Sequence, residues 1–288
     1  MACLRKSLPG SVLFSTENEA SLNIISHLQK DWKWKKINEK LFSFSACGKE
    51  KCCSGLKAYG FEAPILDIEP PEGAGADYFL YASTHKSEKG EPSLTAHFCG
   101  NWAKADFGGE EGTLNVAYAC KLKQILKLLK EGAQKEGLGW NVCMEVDHHG
   151  PTPQGGKFSL IFVEIGSTQK EWTDGKAGKI AASAIMKSLV RPAPAHKTYL
   201  GIGGGHYAPK FTQYMLGERK LNGEEIAIGH ILPKYRVDEI DEGMILRAIE
   251  KSVERVEGAL IDWKGLGKGQ RDKIISILEK NKIKWERA

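Results

Sequence analysis

Two neighbouring histidines, His148 and His149, follow Asp147 and precede a Gly150-Pro151-Thr152 turn, and Glu145 stands two residues before Asp147. Imidazole and carboxylate groups at this spacing supply two kinds of chemistry. They move protons near neutral pH, and they ligate a borderline metal such as zinc. The same residue types recur as His85, His97, Glu164, His206 and His230. Glu145 and Glu164 stand out because both occur inside apolar runs of strand length, 141–146 and 159–165. A carboxylate there is unfavourable unless it is paired, bound to a metal or kept for proton transfer. The chain has no His-Glu-x-x-His pattern and no Cys-x-x-Cys pair. Spacing therefore supports metal binding without selecting a ligand set.

Plainer readings stand beside these. Adjacent side chains on extended backbone point to opposite faces, so one of His148 and His149 can be a buried, hydrogen-bonded core residue. Thr168 and Glu171 have the spacing of a helix capping box, which leaves Ser167 beside a helix start whose N–H groups could hold an oxyanion. The Gly201-Ile202-Gly203-Gly204-Gly205 run is neither a dinucleotide fingerprint nor a Gly-Lys-Ser/Thr phosphate loop. Its glycines let backbone approach a ligand closely, and they equally serve a tight turn. Lys264 can pair with a phosphate or stay solvated.

The elements that must position these groups follow from hydrophobic periodicity. Strands are predicted over 11–14, 77–83, 93–98, 141–146, 159–165, 198–202, 226–231 and 259–263. Helices are predicted over 19–28, 114–130, 171–190, 209–216, 241–256 and 270–280. From about residue 110 the alternation is regular. That implies an α/β fold with a mainly parallel sheet and helices on both faces. The segment 32–107 is less regular and reads as a β-rich elaboration within one domain spanning 1–288. Strand after strand ends in a polar, glycine-rich or histidine-bearing turn: 147–152, 166–168, 203–207, 229–230 and 264–265. If the strands are parallel, these turns share the carboxyl rim where open α/β sheets bind ligands. Six of the eight histidines fall in such turns or between 84 and 97.

Composition narrows the class. With 288 residues, 41% hydrophobic and 27% charged, the chain can bury a substantial core, which excludes disordered and fibrous classes. No run approaches the roughly 18 apolar residues of a membrane helix. Residues 1–10 lack the apolar stretch of a secretory signal, so a cytoplasmic location is expected. Seven cysteines form no disulfide framework and are expected mostly as small buried side chains. A net charge of +5 suits an anionic partner such as RNA without requiring one. Lysines gather at 33–40 beside Trp32 and Trp34, at 121–130 and at 280–284, as solvated faces or phosphate contacts.

The strings themselves are also distinctive. Glu145-Val146-Asp147-His148-His149-Gly150-Pro151-Thr152, Phe162 to Thr168 with Glu171-Trp172, and Gly201 to Pro209 closely resemble the signature blocks of the archaeal and plant D-aminoacyl-tRNA deacylases. Ser83-Thr84-His85-Lys86-Ser87, Pro92 to His97 with Gly100-Asn101-Trp102, and Gly229-His230 with Pro233-Lys234-Tyr235 resemble further blocks of that family, in the same order. Residues 36–56, with Cys47, Cys52 and Cys53, carry none of them.

The resemblance implies a three-layer α/β/α fold of the phosphorylase/peptidyl-tRNA hydrolase kind, with a mainly parallel or mixed sheet. It implies zinc as cofactor and ester hydrolysis of D-aminoacyl-tRNA, of mischarged glycyl-tRNA and of aldehyde-modified D-aminoacyl-tRNA. Under it His148, His149, His206, Glu145 and Ser167 are the expected catalytic groups. Asn101, Thr152, Thr168, Gly204, Gly205, Tyr207 and Lys264 are expected to bind substrate. His85, His97, His148, His206, His230 and Glu164 are expected metal ligands, with Glu145 or Asp147 as further candidates. A monomer with no membrane contact, binding the acylated tRNA end, completes the expectation. A zinc amidohydrolase or peptidase acting on small substrates, and a noncatalytic RNA-binding module, remain as other readings.

Overall fold

In this computed structural model, residues 9–44, 55–87 and 89–288 are described. The strand-forming runs divide between two sheets. The first is mixed and has eight strands: β1 (Gly10–Ser15), β2 (Lys35–Asn38), β3 (Leu41–Phe44), β4 (Leu56–Phe61), β5 (Tyr78–Lys86), β6 (Ser93–Phe98), β7 (Asn141–Met144) and β8 (Ser159–Ser167). Their order is β2-β3-β4-β1-β5-β8-β6-β7. The second sheet is parallel and has four: β9 (Lys197–Ile202), β10 (Ile226–Leu232), β11 (Val256–Ile261) and β12 (Trp285–Arg287), in the order β10-β9-β11-β12. The helices are α1 (Glu19–Trp32), α2 (Ala119–Lys135), α3 (Pro153–Gly156), α4 (Gln169–Trp172), α5 (Gly175–Val190), α6 (Pro209–Leu216), α7 (Glu242–Glu250) and α8 (Lys268–Lys280).

Period-two alternation gives the first sheet two unlike faces. Leu80, Ala82, Leu94, Ala96, Ile161, Val163 and Ile165 point to one side, into a core closed by α1, α2 and α5. Phe79, Tyr81, Leu160 and Phe162 point to the other, under Ile65, Leu66 and Ile68. Tyr81 and Phe162 stack there with ring centroids 4.4 Å apart. Further along the strands this second face turns polar, at His85, Thr95, His97 and Glu164. The second sheet packs Ala227, Ile228 and Ile231 toward α2 and α6, and Leu200, Ile202 and Ala259 toward the cluster that includes α7 and α8 residues.

The expected common rim of five turns does not form. β6 runs antiparallel to β8, and β7 follows β6, so β7 ends where β8 is still at mid-strand. The turns after β9 and β11 belong to the other sheet. Residues 229–230 are not a turn, since they sit inside β10 at a register shift between Ile228 and Ile231. The less regular N-terminal segment supplies β2, β3 and β4, which extend one edge of the first sheet.

One helix is shorter than periodicity predicts and another is shifted along the chain, and the two differences are linked. α7 ends at Glu250 rather than 256, and the turn that follows presents Glu254. Its carboxylate accepts from the N–H groups of Ala119 and Cys120 at 3.0 and 2.9 Å, and so caps α2 five residues later than the apolar pattern begins. The stretch before it is extended, with Leu114 bridging Gly100 and Ala117 bridging Ser252. The predicted helix over 171–190 is divided in two, because Asp174 caps α5 by accepting from Ala177 N.

Lys121 and Lys123 of α2 are buried, contrary to their reading as solvated or phosphate-binding groups. Lys121 Nζ donates to Ser188 O and Arg191 O at 2.5 and 3.0 Å, and Lys123 Nζ to Tyr214 O and Met215 O at 2.7 and 3.2 Å. They satisfy the carbonyl ends of α5 and α6. Burial lowers both ammonium groups to about 8. Cys99, Cys120 and Cys143 are buried free thiols, as expected, whereas Cys3, Cys47, Cys52 and Cys53 lie outside the described residues.

Candidate active site

The polar end of the second face is a cluster of imidazoles around two buried carboxylates. β8 carries Glu164 and its neighbours β5 and β6 carry His85 and His97 on the same face, diagonal to it: Glu164 pairs with Ser83 and Thr95, and His85 and His97 pair two residues away, with Gly166 and Phe162. His85 Nδ1 lies 3.5 Å and His97 Nε2 3.6 Å from Glu164 Oε2. The chain leaving β7 adds Glu145, whose Oε1 is 3.1 Å from His85 Nδ1. Glu145 Oε2 faces His206 Nε2 at 2.9 Å and His148 Nε2 at 3.5 Å. His149 completes the group, its ring centroid 4.4 Å from that of His148 and 4.9 Å from that of His97.

His206 comes from the second sheet, and the docking of that sheet brings it in. β7 is the edge strand of the first sheet, so its outward N–H groups need partners. Met144 N donates to Thr212 Oγ1 of α6 at 3.0 Å, and Val146 N donates to His206 O at 3.0 Å. The 203–207 turn is thus pinned against the strand that carries Glu145. Gly203 and Gly204 sit at φ +98° and +86°, the left-handed region that glycine adopts without steric penalty.

Protonation in the cluster follows its contacts. Burial alone would lower His97, but the Glu164 carboxylate outweighs it and raises His97 to about 9. His85 is raised too, against its burial, by Glu164 and Glu145. Burial works to raise Glu145, yet His206 and His97 hold it down at about 2; His85 and His97 hold Glu164 below the usual carboxylate range despite its burial. Burial and the charge on His97 push His148 well down and His149 to about 4. His148 therefore stays neutral, with Nδ1 donating to Val146 O at 2.8 Å. That leaves Nε2 as the basic nitrogen.

A cleft of about 270 Å³ opens onto Asp147, His148, His149 and His206. Its outer walls come from the 100–107 stretch and from the 233–236 turn. Asn101 lines it, but its amide is committed to Gly108 O and Glu110 O at 2.9 and 3.2 Å. Thr152 Oγ1 accepts from Glu110 N at 2.8 Å. Both residues hold the loop around Gly109 in place rather than facing the cleft with free groups. Gly150 is required there: a Cβ on it would come within 2.4 Å of Gly109 N.

The remaining expected residues divide. Tyr207 reaches the cluster, its hydroxyl 3.0 Å from His85 Nε2. His230 does not join it. Its Nδ1 lies 2.6 Å from Asp147 Oδ1 and its Nε2 3.0 Å from Lys251 O, so both nitrogens are committed. Asp147 is committed as well, because its other oxygen accepts from Ile231 N at 2.5 Å. This pair joins the first sheet to β10 behind the cleft. Ser167 donates to Glu91 O at 2.6 Å, and Thr168 forms its capping box, with its N–H 3.1 Å from Glu171 Oε2. Neither offers a free donor to an oxyanion, and neither lines the cleft. Gly204 O accepts from Lys234 N and Gly205 O from Ala208 N, each at 3.0 Å, and neither glycine lines the cleft. Lys264 is exposed in the turn beside Gly204, outside the cleft lining. Sequence reasoning missed Lys104, Phe107 and Arg236 in the walls. Phe107 had a signal, as an aromatic alone in an otherwise polar and glycine-rich stretch, 104–112.

The donor set fits a metal ion. His97, His148 and His149 bring ligand nitrogens within 4.8 Å of one another, as do the ligand atoms of His85, Glu145 and His206, and of His97, Glu145 and Glu164. Both Glu145 oxygens and His97 Nε2 are buried without a hydrogen bond of good geometry, despite their short ion-pair distances. Buried polar atoms left in this state call for a further partner.

Fold and site together define an α/β protein with a buried histidine–carboxylate centre, open on one side and suited to hydrolysis. The family model of the D-aminoacyl-tRNA deacylases matches residues 72–286, and the chain belongs to that family. It is 39% identical over 272 residues to the D-aminoacyl-tRNA deacylase of Pyrococcus abyssi, covering 93% of this chain and 95% of that protein. The Pyrococcus furiosus deacylase is 41% identical over 199 residues, covering 69% of each, and that of Methanosarcina mazei 34% over 277 residues, covering 94% and 89%. A crystal structure described as a conserved protein of unknown function shares the fold, with a TM-score of 0.79, 24% identity, and coverage of 97% and 95%.

Proposed function

We propose that this chain hydrolyses the ester bond of D-aminoacyl-tRNA, releasing free tRNA and a D-amino acid. The observation that carries the reading is the neutral His148, backed by Glu145 and facing a cleft in a chain of this family. An aminoacyl ester is already activated, so catalysis needs a positioned water and a stabilised oxyanion. His148 Nε2 is placed to take a proton from water at the cleft floor, and Glu145 stabilises the imidazolium that results. His206, shared with the same carboxylate, is placed to return a proton to the departing ribose oxygen. His85 and Tyr207 hold Glu145 and the turn carrying His206 in position.

Zinc belongs to this proposal: of the three groupings, His97, Glu145 and Glu164 would hold it while leaving His148 and His206 free for proton transfer. Bound there, it would supply Lewis-acid polarisation of an ester carbonyl. Mischarged glycyl-tRNA and aldehyde-modified D-aminoacyl-tRNA are included as substrates, with a cytoplasmic, monomeric enzyme as their setting. Lys264 and the outer lysines are assigned to tRNA phosphates. The three-layer phosphorylase/peptidyl-tRNA hydrolase arrangement belongs here too. It is supported by the second sheet, which carries helices on both faces.

The test is release of labelled tyrosine from D-Tyr-tRNA against L-Tyr-tRNA. D-selective release is expected. Equal release of both, or turnover of small amides without tRNA, would favour the amidohydrolase reading, and tRNA binding without release the RNA-binding module.

A further inference from the structure

Four large apolar side chains are exposed among the described residues: Leu22, Ile37, Phe107 and Tyr235. Two of the four, Phe107 and Tyr235, line the cleft that opens onto His148, His149 and His206, one from the 100–107 stretch and one from the 233–236 turn. Phe107 is 68% exposed and Tyr235 49%. Neither packs into a core cluster, so folding does not account for them. The backbone of Phe107 is nonetheless held, and hydrogen bonds from Lys234 N to Gly204 O and from Arg236 N to Pro233 O hold the turn on either side of Tyr235. Gly150 N donates to Phe107 O at 3.1 Å, beside the residue that follows His149. Arg236 Nη2 lies 2.5 Å from Asp106 Oδ2, and Arg236 Nη1 3.0 Å from Glu239 Oε2, so an ion pair spans the mouth between the two ring-bearing segments. Lys104 lines the same cleft, is exposed, and has no ion-pair partner among the described residues.

Two exposed aromatic faces, with the Arg236 guanidinium 6.0 Å from the Tyr235 ring centroid and Lys104, unpaired among the described residues, in the same cleft, form the arrangement that receives an unpaired nucleotide. The base stacks on a ring, and the ammonium group neutralises its phosphate. Resting on the deacylase reading, we infer that Phe107 and Tyr235 form the stacking platform for the 3′-terminal base of the acylated tRNA, with Lys104 on the phosphate 5′ to it. Stacking at the mouth orients the terminal ribose so that its ester reaches His148 and His206 at the floor. The two rings are positioning residues, since they touch the substrate away from the reacting atoms.

The test is a cycle on two substrates and two proteins. The substrates are D-Tyr-tRNA and the same tRNA ending in an abasic ribose that carries D-tyrosine. The proteins are the wild type and the double variant F107A/Y235A. On the intact substrate, each ring removed is expected to raise KM about fivefold or more, with kcat altered far less. The variants Phe107→Trp and Tyr235→Phe keep a ring and should keep KM near the wild-type value. With the abasic substrate, wild type and double variant should become alike. Unchanged KM in the double variant, or an equal KM rise on both substrates, overturns the platform. If the wild type releases no D-tyrosine at all, the deacylase reading fails first, and the two failures are told apart.

Discussion

Two of the places where the protein buries charge differ in one respect. On α2, Lys121 and Lys123 direct their ammonium groups at carbonyls of α5 and α6, each making at least two such bonds. On the polar face of the first sheet, Glu145, Glu164 and the histidines lie close together, yet Glu145 and His97 keep polar atoms without well-formed hydrogen bonds. The first site is saturated and closed, and the second is unsaturated and opens on a cleft. The difference teaches how to tell a structural charge from a working one. Burial alone does not mark function; spare bonding capacity beside an opening does. The Asp147–His230 pair belongs with the lysines by this criterion, although its sequence block looks as chemical as any other.

The strongest way to break the comparison is at His148. His148→Ala should lower deacylation by about 10²- to 10⁴-fold, the usual range for a lost general base. tRNA binding by filter retention should be unchanged; full turnover in this variant would remove the cluster from the chemistry. Next is the contrast between His97 and His230. After purification from zinc-supplemented medium, His97→Ala should lose bound zinc by elemental analysis, while His230→Asn should keep it and melt at a lower temperature. Equal zinc loss in both would put His230 back among the ligands.

A smaller effect is expected at the saturated site. Lys123→Met leaves the carbonyls of Tyr214 and Met215 without their donor, which should lower stability by about 1–3 kcal/mol in a denaturant melt. Specific activity of the folded fraction should stay the same. The pH dependence sharpens this further. Lys121 and Lys123 sit at about 8 in the folded protein, below the usual lysine value of 10.5. Below pH 8 both states carry the charge, and the folded state bears the burden of burying it. Between pH 8 and about 10.5 the unfolded chain holds more protons, so the contribution of these lysines to stability rises with pH. A double Lys→Met variant should lack that rise in melts taken across the window. The smallest effect is at Lys264. Lys264→Ala should weaken tRNA binding modestly and reduce the salt slope by about one counterion.

Much of the fold was legible in the chain. The boundaries predicted for β6 and α6 are the observed ones, 93–98 and 209–216, since each is a short element bounded by clear punctuation. The errors share a cause. The α2 start and the division at Asp174 were set by side-chain caps, one of them 135 residues distant from its helix, and the early end of α7 leads into the turn that supplies that distant cap. Periodicity cannot register a cap offered from elsewhere. Of the site residues, those named for residue type and strand context, such as Glu145 and Glu164, do meet. Those chosen for local motif, such as Ser167 and Thr168, are engaged in local hydrogen bonds.

By itself the sequence determined the family, eight of the twelve described strands and six of the eight described helices, and which carboxylates had to find partners, because these depend on residue type and near-neighbour spacing. Tertiary structure decided that β6 runs against β8, that the edge of β7 takes up the turn bearing His206, and that His230 stands behind the cluster. Those outcomes depend on which backbone edges and buried polar atoms are left to satisfy once the sheets have packed, a condition of the assembled molecule that no single segment carries.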